Sequence, residues 1–228
     1  MTTSFQELQF DTGTRAGKVS GLLILPPNAA AVYVLAHGAG AGMRHRFMEA
    51  MASALAGLDV GTFRYQFPYM ETGGKRPDFP PTLHATVRAA VAAAADLAPG
   101  LPLFAGGKSM GGRMTSGAAA AAPLPGVRGL IFLGFPLHQP GKPSVTRAEH
   151  LAQVSVPMLF LQGTRDTLAD LELVKSVCAG LPQATLHVVE GGDHSFAVLK
   201  RSGRTSEEAM AEMARRIRDW VGNPEAGR

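Results

Sequence analysis

Three short stretches of this chain hold side chains that could do covalent chemistry together. They are Gly107-Lys108-Ser109-Met110-Gly111, Gly163-Thr164-Arg165-Asp166 and Gly191-Gly192-Asp193-His194. A serine hydroxyl is a weak nucleophile at neutral pH and needs a base to take its proton. An imidazole can be that base, and it needs a carboxylate to fix its tautomer and steady its positive charge. Ser109 is therefore the candidate nucleophile, His194 the candidate base and Asp166 the candidate acid. Asp193 stands beside His194 in sequence, which makes it hard for its carboxylate to reach the ring nitrogen that faces away from Ser109. Its expected role is to brace the loop, and Asp170 is the reserve. The G-x-S-x-G spacing also has a physical reason. A serine at a tight strand-to-helix turn is pushed outward, and the residues two before and two after it must be small because strand and helix nearly touch there.

The elements that must position these residues follow from periodicity. Short apolar runs at 32–36, 60–65, 103–105, 129–134, 158–162 and 185–189 read as strands. They alternate with helical patterns at 44–57, 82–97, 110–122, 171–179 and 206–221. Thr82 is a candidate N-cap, and Thr205 with Glu208 forms a capping-box pattern. Runs at 5–10 and 18–25, joined by DTGTRAG, read as a hairpin. The fold class expected is α/β: a mostly parallel twisted sheet with helices on both faces. Chemistry in such sheets gathers beyond the carboxyl ends of the strands, and Ser109, Asp166 and His194 each follow a strand. The expected organisation is a single domain over 1–221 with a flexible tail at 222–228. The alanine-rich stretches fall inside helical windows, where alanine is the best helix former.

The strand at 32–36 runs into His37-Gly38-Ala39-Gly40-Ala41-Gly42. Such a loop can turn backbone N–H groups toward an anion. With the helix starting at Met110, the N–H groups of Met110 and Ala39 are the candidate oxyanion donors. The alternatives fit poorly. The loop lacks the G-x-x-x-x-G-K-[ST] phosphate pattern, and no acidic residue closes the next strand, where Arg64 and Tyr65 stand instead. His37 and His138 are candidates for contact with substrate, as are Tyr65 and Phe67 beyond the second parallel strand. Tyr69 and His45 are further candidates for the pocket wall. For Tyr65, Phe67 and Tyr69 core packing is the alternative, and His37 also suits a role in shaping its loop. Cys178, within a helical pattern, reads as buried packing.

Composition bounds the remaining possibilities. The 228 residues are 46% hydrophobic and 18% charged, a globular balance. No apolar run is long enough to cross a membrane, and no membrane partner is expected. The net charge of +4 is spread out, and Arg215, Arg216 and Arg218 share their helix with Glu207, Glu208, Glu212 and Asp219, so no nucleic-acid partner is expected. The first residues show no secretory signal pattern. With Cys178 as the lone cysteine, a cytoplasmic setting is expected. No metal and no cofactor are expected: no H-E-x-x-H or comparable cluster is present.

In order, HGAGAG, RYQFPY (64–69), GGKSMGGR (106–113), FPLHQPGKP (135–143), LQGTRD (161–166) and GGDHSF (191–196) resemble the small α/β-hydrolases related to dienelactone hydrolase. They resemble more narrowly a largely bacterial branch whose eukaryotic relatives include a subunit of the non-specific-lethal histone acetyltransferase complex. The resemblance implies an α/β-hydrolase fold with Ser109 as nucleophile, Asp166 as acid and His194 as base, and with Met110 and Ala39 as oxyanion donors. It implies a serine hydrolase acting on a small-molecule ester. Dienelactone hydrolases proper use a cysteine where this chain has Ser109. The short, proline-rich connection after Phe135 leaves no room for a helical cap. The chromatin-complex relatives make a non-catalytic interaction module on the same fold the alternative function.

Overall fold

A computed structural model of the chain describes residues 4–223. Its centre is one eight-stranded sheet: β1 (Ser4–Asp11), β2 (Lys18–Leu25), β3 (Ala31–Ala36), β4 (Val60–Tyr65), β5 (Leu103–Lys108), β6 (Val127–Leu133), β7 (Met158–Gly163) and β8 (Ala184–Val189). The strands lie in the order β1-β2-β4-β3-β5-β6-β7-β8. β1, β2 and β4 pair antiparallel, with Phe10 opposite Val19 and Leu23 opposite Phe63. From β4 onward every pairing is parallel.

Helices cover both faces. On one side lie α1 (Arg46–Ala56) and α6 (Ser206–Gly222). Phe47, Met51, Leu55, Met213, Ile217 and Trp220 pack there on Tyr33, Leu35, Phe104 and Ile131. On the other side lie α3 (Pro80–Leu97), α4 (Met110–Ala121) and α5 (Leu171–Ala179), over Val32, Val34, Ala105, Phe132 and Phe160. Neighbours along a strand thus enter opposite cores, as the two-residue period of a strand demands. A one-turn helix, α2 (Pro68–Glu71), follows β4.

Some boundaries differ from the sequence reading. α3 starts at Pro80, not Thr82, because two prolines fit the first helical turn, where the missing N–H has no bond to lose. β5 extends to Lys108, and Gly106 and Gly107 belong to it. The segment near Arg147 is a 3₁₀ helix, Thr146–Gln153. The capping box of α6 is present in both halves. Of the expected tail, Gly222 closes α6, and 224–228 lie outside the described residues. No cap domain stands between β6 and β7.

The topology decides where a site can form. From β3 the chain turns to one side to make β4. It then crosses back through α3 and adds β5 on the other side of β3. The loops beyond β3 and β5 therefore diverge and leave a crevice between them, the point at which ligands bind in open α/β sheets. His37–Gly42 lies on one side of this crevice and Ser109 on the other.

Candidate active site

Ser109 bridges β5 and α4 in a conformation that side chains seldom adopt, with φ +52° and ψ −117°. The surroundings hold it there. Its N–H donates to Leu133 O at 3.1 Å, and its carbonyl accepts from Arg113 N–H at 3.2 Å. The flanking glycines are required by contact with β3. A methyl on Gly111 would lie 2.5 Å from Ala36 O and 2.7 Å from His37 O, and one on Gly107 would run into Ala36 O. The backbone approach that makes the turn sharp thus depends on two missing side chains. At the far end of α4, Arg88 of α3 donates to the carbonyls of Ala118, Ala122 and Pro123, fixing the helix that carries Ser109.

The loops after β7 and β8 bring the other two groups in. Ser109 Oγ lies 2.8 Å from His194 Nε2, and His194 Nδ1 lies 2.7 Å from Asp166 Oδ2. Asp166 is buried and accepts three hydrogen bonds. Besides His194, Gln162 Nε2 donates to Oδ2 at 2.6 Å and Leu168 N–H donates to Oδ1 at 2.8 Å. With Asp166 accepting at Nδ1, the imidazole carries its proton there, and Nε2 is free to accept from the serine hydroxyl. The His194 side chain is 23% exposed, so an incoming molecule can reach this line. The rival acids are occupied. Asp170 caps α5 through the N–H groups of Glu172 and Leu173. Asp193 Oδ1 braces its own loop by accepting from Ser195 and Ala197.

The glycine loop passes close to Ser109: a Cβ on Gly38 would lie 3.7 Å from Ser109 Cβ. Met110 N–H stands at the first position of α4, where the helix supplies no acceptor and its dipole is positive. Ala39 N–H makes no hydrogen bond among the described residues.

The remaining candidates are held by other contacts, and Tyr65, Phe67 and His37 are buried in the core. Tyr65 and Phe67 have no exposed surface. Tyr65 packs edge-on to Phe67, and burial pushes its phenol well above its ordinary range. His37 is also fully buried. Phe67 N–H donates to its Nε2 at 3.1 Å, so Nδ1 carries the proton and donates to Gly38 O at 2.7 Å. Burial lowers its pKa to about 4, so the ring is neutral. His138 Nδ1 lies 2.8 Å from Gln139 O, and its Nε2 accepts from Asp170 N–H at 2.9 Å, which ties the loop after β6 to the loop after β7. His45 accepts from Phe47 N–H at the start of α1.

These placements give RYQFPY a different role: it shapes the glycine loop. Tyr69 Oη accepts from Gly40 N–H at 2.9 Å, Gln66 Oε1 accepts from Met43 N–H at 2.7 Å, and Arg64 donates to Met43 O at 3.0 Å. Two further residues had no role assigned from the sequence. Gln162 and Lys108 are polar side chains at the ends of strands buried throughout. That polarity was the available signal.

An apolar cleft of about 100 Å³ between Ala119, Leu124, Val127 and Val154 lies at the amino ends of the strands, away from Ser109, and no titratable group lines it. Among the described residues no group of three His, Cys, Asp or Glu could hold a metal ion, and no helix is long and apolar enough to cross a membrane.

Residues 29–222 match the family described as an alpha/beta hydrolase domain. Solved structures of similar fold include a dienelactone hydrolase from Anabaena variabilis, 19% identical, with a TM-score of 0.75 over 97% of this chain and 98% of that one. A serine hydrolase without lid from Xanthomonas campestris is 22% identical, with a TM-score of 0.72 over 96% of both chains. A serine hydrolase homologue from Coxiella burnetii is 20% identical, with a TM-score of 0.72 over 96% and 97%. At these identities the likeness is one of fold.

Proposed function

The chain belongs to the alpha/beta hydrolase domain family, and on that premise we propose that it is a serine hydrolase cleaving small carboxylic esters through an acyl-enzyme. One observation carries the reading: a continuous line of short contacts from Ser109 Oγ through His194 to a buried, triply hydrogen-bonded Asp166.

Ser109 Oγ attacks the acyl carbon while His194 Nε2 takes the hydroxyl proton. The carbonyl electron pair moves onto oxygen, facing the N–H groups of Met110 and Ala39. When the carbonyl reforms, the carbon–oxygen bond to the alcohol breaks and the imidazolium gives its proton to the leaving oxygen. Water then attacks the acyl-enzyme with His194 again as base. The acid departs and Ser109 recovers its proton. Each oxyanion donor of this kind is worth roughly 3 kcal/mol, so the hydrogen bonds that hold the glycine loop are part of the machinery. The lack of a cap domain supports small substrates taken at an open site. The lone, buried Cys178, its thiol pushed up to about 12 by burial, accords with a cytoplasmic setting. A purely structural interaction module would have no use for three converging groups of this chemistry.

The test is turnover by the purified protein of p-nitrophenyl esters of increasing acyl length. We expect hydrolysis that is fastest with the shortest chains. No turnover of any ester would reject the reading.

A further inference from the structure

Among the described residues, three that are not glycine adopt a positive φ: Asp59 at +57°, Ser109 at +52° and Phe196 at +61°. Aspartate tolerates this region, and Ser109 is the candidate nucleophile. For a bulky phenylalanine the conformation is a genuine outlier, and it persists only where the surroundings impose it. Phe196 stands two residues after His194.

The short loop that carries both residues is closed on itself. Asp193 Oδ1 accepts from Ser195 N–H at 2.8 Å and from Ala197 N–H at 3.0 Å. The Asp193 carbonyl accepts from Phe196 N–H at 2.8 Å, and the Asp193 N–H donates to Ala197 O at 3.1 Å. Among the described residues, 193–197 make no hydrogen bond to the rest of the protein except through the His194 side chain. Within this stretch only Phe196 is buried, with 2% of its surface exposed. Its ring is therefore the loop's apolar anchor.

The anchor joins a cluster drawn from three parts of the chain. The Phe196 ring stacks on that of Phe47, with centroids 5.9 Å apart and planes 20° from parallel. Phe47 lies in the first turn of α1, the helix that continues the glycine loop. Lys108, the residue before Ser109, places Nζ 5.8 Å from the Phe47 centroid and 5.6 Å from that of Phe196, within cation–π range of both. The segments that carry the nucleophile, the glycine loop and the base thus meet on one pair of rings.

We propose that Phe196 is a positioning residue for His194: stacked on Phe47, its ring fixes where the imidazole stands relative to Ser109. Its left-handed backbone lets one short loop send the ring into the core and the imidazole to Ser109. The proposal rests on the reading of Ser109, His194 and Asp166 given above and adds the contact that holds the base in place. A reacting group misplaced by about 1 Å can cost roughly a hundredfold in rate, so this apolar contact bears directly on kcat.

The experiment compares the wild type with Phe196→Leu, Phe196→Gly and Phe47→Leu. Labelling to completion with a fluorophosphonate probe counts the competent sites, and kcat for p-nitrophenyl acetate is expressed per site. Leucine keeps an apolar anchor without a flat face. Glycine adopts a positive φ freely and has no ring. We expect kcat per site to fall about tenfold or more in both leucine variants and further in Phe196→Gly, with KM within about threefold of wild type. A role confined to stability would lower the number of competent sites and leave kcat per site unchanged. A kcat per site within about threefold of wild type in any of these variants would overturn the proposal and leave the reading of Ser109 standing. Neither labelling nor turnover in the wild type would overturn both. Should the Phe196 variants fail to fold, Phe47→Leu decides, since it removes the stack from outside the loop: a tenfold fall per site supports the proposal, and an unchanged rate per site overturns it.

Discussion

Asp166→Asn keeps the shape of the buried acid and removes its charge and one acceptor. The native carboxylate receives Leu168 N–H on Oδ1, and on Oδ2 it receives both Gln162 Nε2 and His194 Nδ1. An asparagine has one acceptor oxygen to serve three donors. If that oxygen takes the Oδ2 place, the amide NH₂ faces the Leu168 N–H. If it takes the Oδ1 place, the NH₂ faces Gln162 and His194, and the imidazole must move its proton to Nε2 to accept from it. His194 then has nothing with which to accept from Ser109. Either arrangement sets donors face to face in a buried site, a cost of about 1–3 kcal/mol in stability. The wrong tautomer and the lost support for the imidazolium are together worth about 10⁴ in rate for a relay of this kind, or roughly 5 kcal/mol of barrier. The assay pairs kcat/KM on p-nitrophenyl acetate with urea unfolding. We expect a drop of roughly 10³–10⁴ in kcat/KM in a protein that still unfolds cooperatively. A rate within tenfold of wild type would refute the reasoning. Asp170 and Asp193 could not rescue it, since each already accepts two backbone N–H groups.

Tyr69→Phe removes the acceptor of Gly40 N–H; at about 1 kcal/mol for the bond, kcat should fall roughly fivefold with KM little changed, and unchanged kcat would mean that the loop keeps its shape without it. Gly111→Ala puts a methyl 2.5 Å from Ala36 O, so unfolding free energy should drop by more than about 2 kcal/mol. Gly126→Ala, with nothing within 4 Å of its Cβ and a φ of +75°, should cost only about 1 kcal/mol; equal urea midpoints for the two would contradict the close packing of α4 on β3. His37 has a folded pKa of about 4 against an ordinary 6.5, so the unfolded chain binds the extra proton. Stability from this group is full above pH 6.5, is lost as pH falls toward 4, and amounts to roughly 3 kcal/mol at most. His37→Gln should flatten that part of the stability–pH curve, and an unchanged slope would contradict the burial argument.

The parallel sheet was legible because its strands are short, largely apolar runs, most of them closed by glycine, and the helices between them show their own period. The convergence of Ser109, Asp166 and His194 was legible because each follows a strand, and the carboxyl ends of parallel strands share one edge. The exchange of sides between β4 and β5 was not, because strand order depends on pairing partners far apart in sequence. Tyr65 and Phe67 could not be sorted into wall or core, since an aromatic side chain suits either. What decided them was the buried His37, which takes its hydrogen bond from the Phe67 backbone and draws that segment under the glycine loop. Thr82 looked like an N-cap, but Pro80 and Pro81 had already set the helical φ two residues earlier. The surroundings of Lys108 and Gln162 show only in three dimensions. Their neighbours across the strand ends, Gly134 and Asp166, come from other parts of the chain.

The most direct measurement is fluorophosphonate labelling, with the adduct located by peptide mass, in the wild type and in Ser109→Ala. The account predicts a single adduct on Ser109 in the wild type, and neither adduct nor p-nitrophenyl acetate turnover in Ser109→Ala. Undiminished labelling or turnover in Ser109→Ala would contradict it.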